Sequence, residues 1–306
     1  MIFCDGVGIG SRDPAVNPFF RARLPTLRGL LDGELPSLHH RRARTDHTTL
    51  LPLDANLGMP GLPQSGTGQT ALFTGENGAR LIGKHFGPYL YSTLKPVVAA
   101  KHVFRRLVER GGRARFANAF PQRFFEYVER RPGRLSVTTF ACLHTGLPLM
   151  REQDLRSGGA VSADLTGEGW HALGYPDMPV IEPAEAGRRL VRLLGRHDFV
   201  LFEYWKTDHA GHSGSMAEAV ASLENLDTLL AGVLETLDRR QHLLLLTSDH
   251  GNLEDMSTKT HTRHPVPALM HGHRQAELAA VLETGPDPGD LTHITPALMQ
   301  LFARSL

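Results

Sequence analysis

Two uninterrupted apolar runs, "DFVLFEYW" (198–205) and "HLLLLTS" (242–248), leave this chain few architectures to choose from. A strand with one wet face alternates apolar and polar residues, whereas a run without alternation is buried on both faces, the condition of a strand inside a parallel sheet. Between the two runs, "SMAEAVASLENLDTLLAGVLETLDRR" (215–240) repeats Ala219, Leu223, Leu226, Leu230, Val233 and Leu237 at helical spacing. Strand, helix and strand in this order form the crossover unit of parallel sheets. A further helix is expected over 183–197, with Pro183 near its start and Gly195 near its end, and "MIFC" (1–4) reads as another short strand. The expected fold class is α/β, a doubly wound and mainly parallel sheet.

The middle of the chain reads differently. Residues 80–180 carry Gly and Pro punctuation, clustered aromatics in "RFFEYV" (123–128) and one short strand candidate, "LSVTTFAC" (135–142). The expected organisation is a discontinuous core of residues 1–79 and 181–306, interrupted by a smaller inserted cap or substrate domain over 80–180. A chain of 306 residues can bury such a core.

Charge and cysteine content narrow the function. Lys and Arg total 33 against 32 Asp and Glu, a net charge of +1, so no nucleic-acid partner is implied, and the basic groups at 39–44 and 105–115 read as solvated faces. No apolar run reaches the length of about 18 residues that a membrane span needs. Cys4 and Cys142 lie far apart without metal or redox spacing, and the N-terminus lacks the order of a signal peptide, which together suit the cytoplasm.

In open parallel sheets, ligands bind beyond the carboxyl ends of the strands. The strand at 1–4 ends at Asp5, the strand at 198–205 leads to Asp208 and His212, and the strand at 242–248 leads to Asp249 and His250. Asp208 and His212 are four apart, on one side of a helical turn, and His261 follows in "KTHTRHPVP". Mixed carboxylate and imidazole donors suit two divalent cations of the Zn or Mn type, where an all-oxygen set would point to Mg or Ca. Two such ions about 4 Å apart clamp a phosphoryl group. The hydroxyl that would attack it is Ser65 in "GLPQSGTGQTALFTGENGA" (61–79), ahead of an expected helix whose N-terminus favours an anion, with Thr67 as second candidate. Taken singly, each residue has an ordinary alternative: Asp5 a turn, Ser65 and Asp208 helix caps, His212 and His261 loop histidines. Lys206, Arg151, Arg156 and Asp164 are candidates to face the substrate, weighed against surface ion pairs. Asn252 is expected to orient His250, while His209, His264, His271 and His273 read as loop or surface residues.

The set "FCDGVGIG", "PQSGTGQTALFTGENGA", "TDHAGH", "TSDHGNLED" and "THTRHPVP" resembles, in order and content, the metalloenzyme domain of cofactor-independent phosphoglycerate mutase and phosphopentomutase, within the alkaline phosphatase superfamily. The resemblance covers about residues 1–80 and 185–275. It implies an alkaline phosphatase-like core with Asp5, Ser65, Asp249 and His250 around one metal and Asp208, His212 and His261 around the other. The metals implied are Mn or Zn, sometimes Mg, and Ser65 would carry the phosphoryl group covalently. Two features depart from the mutases: Gln69 stands in "SGTGQ" where they usually have histidine, and the insert lacks the His and Asp signature of their transfer domain. Hydrolysis of a small phosphorylated metabolite is therefore the first reading. An intramolecular phosphomutase of the phosphoglycerate or phosphopentose type is the alternative, and a metal-binding protein without turnover is the third. Only four residues precede Asp5, short for the central strand of such a core, and the sequence does not set whether the chain starts upstream of Met1. The sequence sets no oligomeric state.

Overall fold

The apolar runs pair around the short N-terminal strand. In the computed structural model, which describes residues 1–131, 133–284 and 289–303, β1 (Ile2–Cys4), β2 (Ala43–Arg44), β3 (Thr48–Leu53), β4 (Ala114–Phe116), β5 (Phe199–Tyr204), β6 (Leu243–Thr247) and β7 (Val266–Gly272) form one sheet in the order β2-β3-β7-β6-β1-β5-β4. Strands β4, β5, β1 and β6 are mutually parallel. Strand β7 runs antiparallel to β6, and β3 antiparallel to β7, so β3 points the same way as the parallel four. The mainly parallel α/β sheet is thus the one expected, with Ile2 opposite both Phe202 and Leu246 at its centre.

Alternate residues of β1 feed different cores. Phe3 packs with Phe73, Phe104 and Val266 on one face, whereas Ile2 and Cys4 pack with Phe202, Leu223 and Leu230 on the other. The first face is covered by α1 (Ser65–Thr74) and α2 (Val137–Thr145), the second by α3 (Pro183–Leu194) and α5 (Met216–Thr236), while α4 (Lys206–Ser213) follows β5. Helices α3 and α5 meet backbone to backbone: a Cβ at Gly232 would stand 1.8 Å from the Ala184 carbonyl oxygen. Only glycine admits that approach.

One local expectation fails. "LSVTTFAC" was read as a strand for its β-branched residues, but the chain forms α2, capped by the Ser136 side chain accepting from the Thr139 N–H and closed by Gly146 in the left-handed conformation. Burial of Val137 to Cys142 on the sheet outweighs their weak preference for strand. The segment after His261 leads into β7, where Pro267 stands opposite Pro52 of β3. Proline donates no ladder bond, so neither run carries an unbroken strand signal in the sequence.

Residues 80–180 contribute β4 to the sheet, and Val98, Val103, Phe104 and Val137 to the core beneath α1. A separate small cluster joins Ala119, Met150, Leu155, Ala160, Trp170 and Met178. Among the described residues no helix is long and apolar enough to cross a membrane.

Candidate metal centre

The carboxyl ends of β1, β5 and β6 converge. Asp5 leaves β1 with its N–H bonded to the Tyr204 carbonyl at 3.1 Å, α4 presents Asp208 in its first turn and His212 in its last, and Asp249 and His250 follow β6 after one residue. The six side chains fall into two groups, Asp5 with Asp249 and His250, and Asp208 with His212 and His261, the ligand atoms of each lying within 4.8 Å of one another. Ser65, the first residue of α1, holds its Oγ 3.0 Å from His250 Nε2.

The imidazoles are turned for ligation. His261 Nδ1 lies 2.7 Å from the Pro63 carbonyl oxygen and His212 Nδ1 2.8 Å from that of Lys259. A carbonyl only accepts, so in each ring the proton sits on Nδ1 and the Nε2 lone pair points inward. The two Nε2 atoms are 3.1 Å apart, with Asp208 oxygens 3.3 Å from His212 and 3.6 Å from His261. Lone pairs that close repel unless a proton or a metal ion lies between them.

The other group concentrates negative charge. Asp5 Oδ1 is buried without a hydrogen-bond partner, 3.2 Å from His250 Nε2. Burial, and then the charge of Asp5, push the Asp249 carboxyl well above the usual carboxylate range. Burial opposes charge on His250, yet Asp249 and Asp5 outweigh it and lift the imidazole to about 10. Burial, reinforced by the charge on His250, drives His261 down to about 4. Both groups therefore fit a divalent cation by donor chemistry and by field, and nitrogen and oxygen donors without sulfur suit Zn, Mn or Mg.

The remaining candidates fall elsewhere. Thr67 Oγ1 donates to the Gln64 carbonyl at 3.1 Å and accepts from the Phe86 N–H at 3.2 Å, away from both groups. Lys206 Nζ rests 5.4 Å from the Trp205 ring centre. Arg151 stacks on Phe125 at 3.7 Å, Arg156 pairs with Glu152 and Asp177, and Asp164 accepts from the N–H groups of Gly167 and Gly169. None of these is drawn into either ligand group. Gln69 donates to Asp249 Oδ2 at 3.2 Å. Asn252, expected beside His250, instead donates to Asp208 Oδ1 at 2.7 Å.

Glu203 was missed. It sits in β5, buried, accepting from Thr138 Oγ1 at 2.8 Å, and the only signal was an acid in the apolar run "FVLFEYW". Burial, and then the charge of Asp5, lift it to about 7. Its folded value exceeds its unfolded one, so its contribution to stability is complete below the unfolded value of about 4.3 and is lost as pH rises through about 7. Glu203→Gln is expected to flatten this loss, up to roughly 3 kcal/mol, in thermal unfolding measured in chelator between about pH 5 and pH 8. A slope equal to that of wild type would refute it.

The fold is an alkaline phosphatase-like α/β core, and at the carboxyl end of its sheet stand two groups of side chains that could hold metal ions. Residues 177–305 match the model of the Metalloenzyme superfamily. Among sequence relatives, the 2,3-bisphosphoglycerate-independent phosphoglycerate mutase of Moorella thermoacetica is 29% identical over 130 residues, 39% of this chain and 25% of that protein. The enzyme of the same name from Saccharophagus degradans is 32% identical over 137 residues, 42% of this chain and 25% of its own. The matches thus span about a quarter of the curated relatives' length. By structure, the PH0037 protein from Pyrococcus horikoshii aligns with a TM-score of 0.56 at 14% identity, covering 100% of this chain and 96% of that one. Alkaline phosphatase from the Antarctic bacterium TAB5 aligns at 0.54 and 11%, covering 98% and 96%. These two likenesses concern the fold.

Proposed function

We propose that this chain catalyses metal-dependent phosphoryl transfer on a small phosphomonoester through a phosphorylated Ser65. The observation that carries the reading is a serine hydroxyl at the N-terminus of a helix, 3.0 Å from His250 and beside two groups of inward-facing ligands. Asp5, Asp249, His250 and Ser65 would hold one divalent ion, and Asp208, His212 and His261 the other. Such ions, when bound, neutralise phosphate oxygens and favour the ionised form of a nucleophilic hydroxyl. Ser65 Oγ then forms the bond to phosphorus as the ester oxygen departs, and α1 turns the positive end of its dipole toward the transferred group. A metal-binding protein without turnover would have no use for a hydroxyl held there.

The sequence relatives, named as mutases, reverse the order of readings drawn from the motifs: they support return of the phosphoryl group to a second hydroxyl of the same substrate. Hydrolysis stays as the second reading because the His212 side chain is 45% exposed, so water reaches that group. Within residues 80–180, the part outside the sheet and its core, around the separate cluster at Trp170, would supply the walls around the substrate as a cap. Buried free thiols at Cys4 and Cys142 support a cytoplasmic setting.

The test is product analysis. Chelator-treated protein, reloaded with Zn or Mn, is incubated with a panel of small sugar and glycerate phosphates, and the products are separated by ion exchange. A positional isomer supports the mutase and free phosphate the hydrolase. Neither product, with both groups loaded, would end the phosphoryl-transfer reading.

A further inference from the structure

One buried carboxylate outside the ligand set touches every loop on which the first group and His261 depend. Glu254 is 1% exposed, and both of its oxygens are doubly engaged. Oε2 accepts from the Gly8 N–H and from the Asn252 N–H, each at 2.8 Å. Oε1 accepts from His264 Nδ1 at 3.0 Å and from the Thr262 hydroxyl. Gly8 lies in the loop that carries Asp5, Asn252 in the loop that carries Asp249 and His250, and Thr262 directly follows His261.

The glycines of "DGVGIG" and "DHGN" acquire a reason. A Cβ at Gly8 would stand 2.4 Å from the Glu254 carboxyl carbon, and one at Gly251 2.4 Å from Oε1 and 2.2 Å from Thr262 Oγ1. Any side chain at either position would expel the carboxylate. Asn252, whose N–H is held by Glu254, passes the constraint on through its side chain to Asp208.

We infer that Glu254 is a positioning residue that clamps the three ligand-bearing loops around the two metal groups, and that its full set of four donors is what sets metal affinity there. The inference rests on reading those groups as metal ligands. Burial alone would raise the Glu254 pKa, but the bonds from His264, Thr262 and the backbone outweigh it and keep the group below the usual glutamate value. Ionised, it can accept all four bonds. A glutamine of the same shape has one accepting oxygen, so its NH2 either faces the two backbone N–H groups or, at the Oε1 position, obliges Thr262 and His264 to give up their donor roles.

The experiment is Zn2+ binding to the full chain after chelation, by competition with a chromophoric chelator, together with the absorption spectrum of the Co2+-loaded protein. Wild type, Glu254→Gln, Thr262→Val and the exposed control Glu109→Gln are compared. Glu254→Gln is expected to keep its far-ultraviolet circular dichroism, to lose Zn2+ affinity by about 10- to 100-fold and to shift the Co2+ bands. Thr262→Val, which removes one of the four donors, shows a smaller loss in the same direction, and Glu109→Gln none. Wild-type affinity and spectrum in Glu254→Gln overturn the clamp while leaving the metal reading intact. If that variant does not fold, Thr262→Val decides, and wild-type affinity in it overturns the clamp. A wild-type chain that takes up neither Zn2+ nor Co2+ overturns the metal reading first and the clamp with it.

Discussion

Ser65→Ala is expected to lower phosphoryl transfer by about four orders of magnitude or more, with the ion at Asp208, His212 and His261 still bound. The alanine keeps the first turn of α1 but removes the one hydroxyl at 3.0 Å from His250, so nothing is left to accept phosphorus. Thr67→Val is the matched control. Its hydroxyl is spent on the Gln64 carbonyl and the Phe86 N–H, so its removal should cost stability and leave most of the turnover. Acid quenching during turnover of labelled substrate should trap the label on wild type and on Thr67→Val, and none on Ser65→Ala. Label retained by Ser65→Ala would place the covalent step elsewhere.

Asp249→Asn should reduce the bound ions from two to one and, at the same time, stabilise the metal-free protein. The carboxyl is fully buried beside Asp5, so without a cation its charge is a burden on the fold, which the neutral amide lifts. With metal present the order inverts, because the ion at this group no longer binds and its contribution to folding disappears. Melting curves in chelator and in excess Zn2+ should therefore cross: the variant melts above wild type in the first and below it in the second. Turnover should fall about a thousandfold or more with the lost ion. Variant curves that lie below wild type in both conditions would show that Asp249 is a structural residue only.

What could be seen in the sequence follows the strength of the local signal. Strands β5 and β6 and helix α5 carry unbroken apolar runs or strict helical spacing, and Asp5, Asp208, Asp249 and His250 stand where strands end, so the sheet rule collects them without coordinates. Glu203 and Glu254 escaped because nothing local marks them. One is an acid in an apolar run, the other an ordinary member of "NLED", and their importance comes from partners such as Thr138 and Gly8 that lie far away in the chain. Strands β3 and β7 were hidden by Pro52 and Pro267, and α2 by β-branched residues whose fate is decided by burial. Arg151, Arg156 and Asp164 looked reactive by type, and their partners show them holding together the small cluster around Trp170.

Strand β1 has a consequence for how the molecule comes into being. Met1 and Val200 touch across 199 residues of chain, and Gly6 and Asp249 across 243. On the ribosome, the middle strand of the sheet is therefore made long before either of its neighbours, and must wait, apolar and with both edges unpaired, until the C-terminal third has emerged. Closing loops of that span is slow, and an exposed strand is open to wrong pairing meanwhile. The ligand groups can close only after residues 249–261 have left the ribosome, so a chain stopped before Asp249 carries four of the seven candidate ligands and completes neither group.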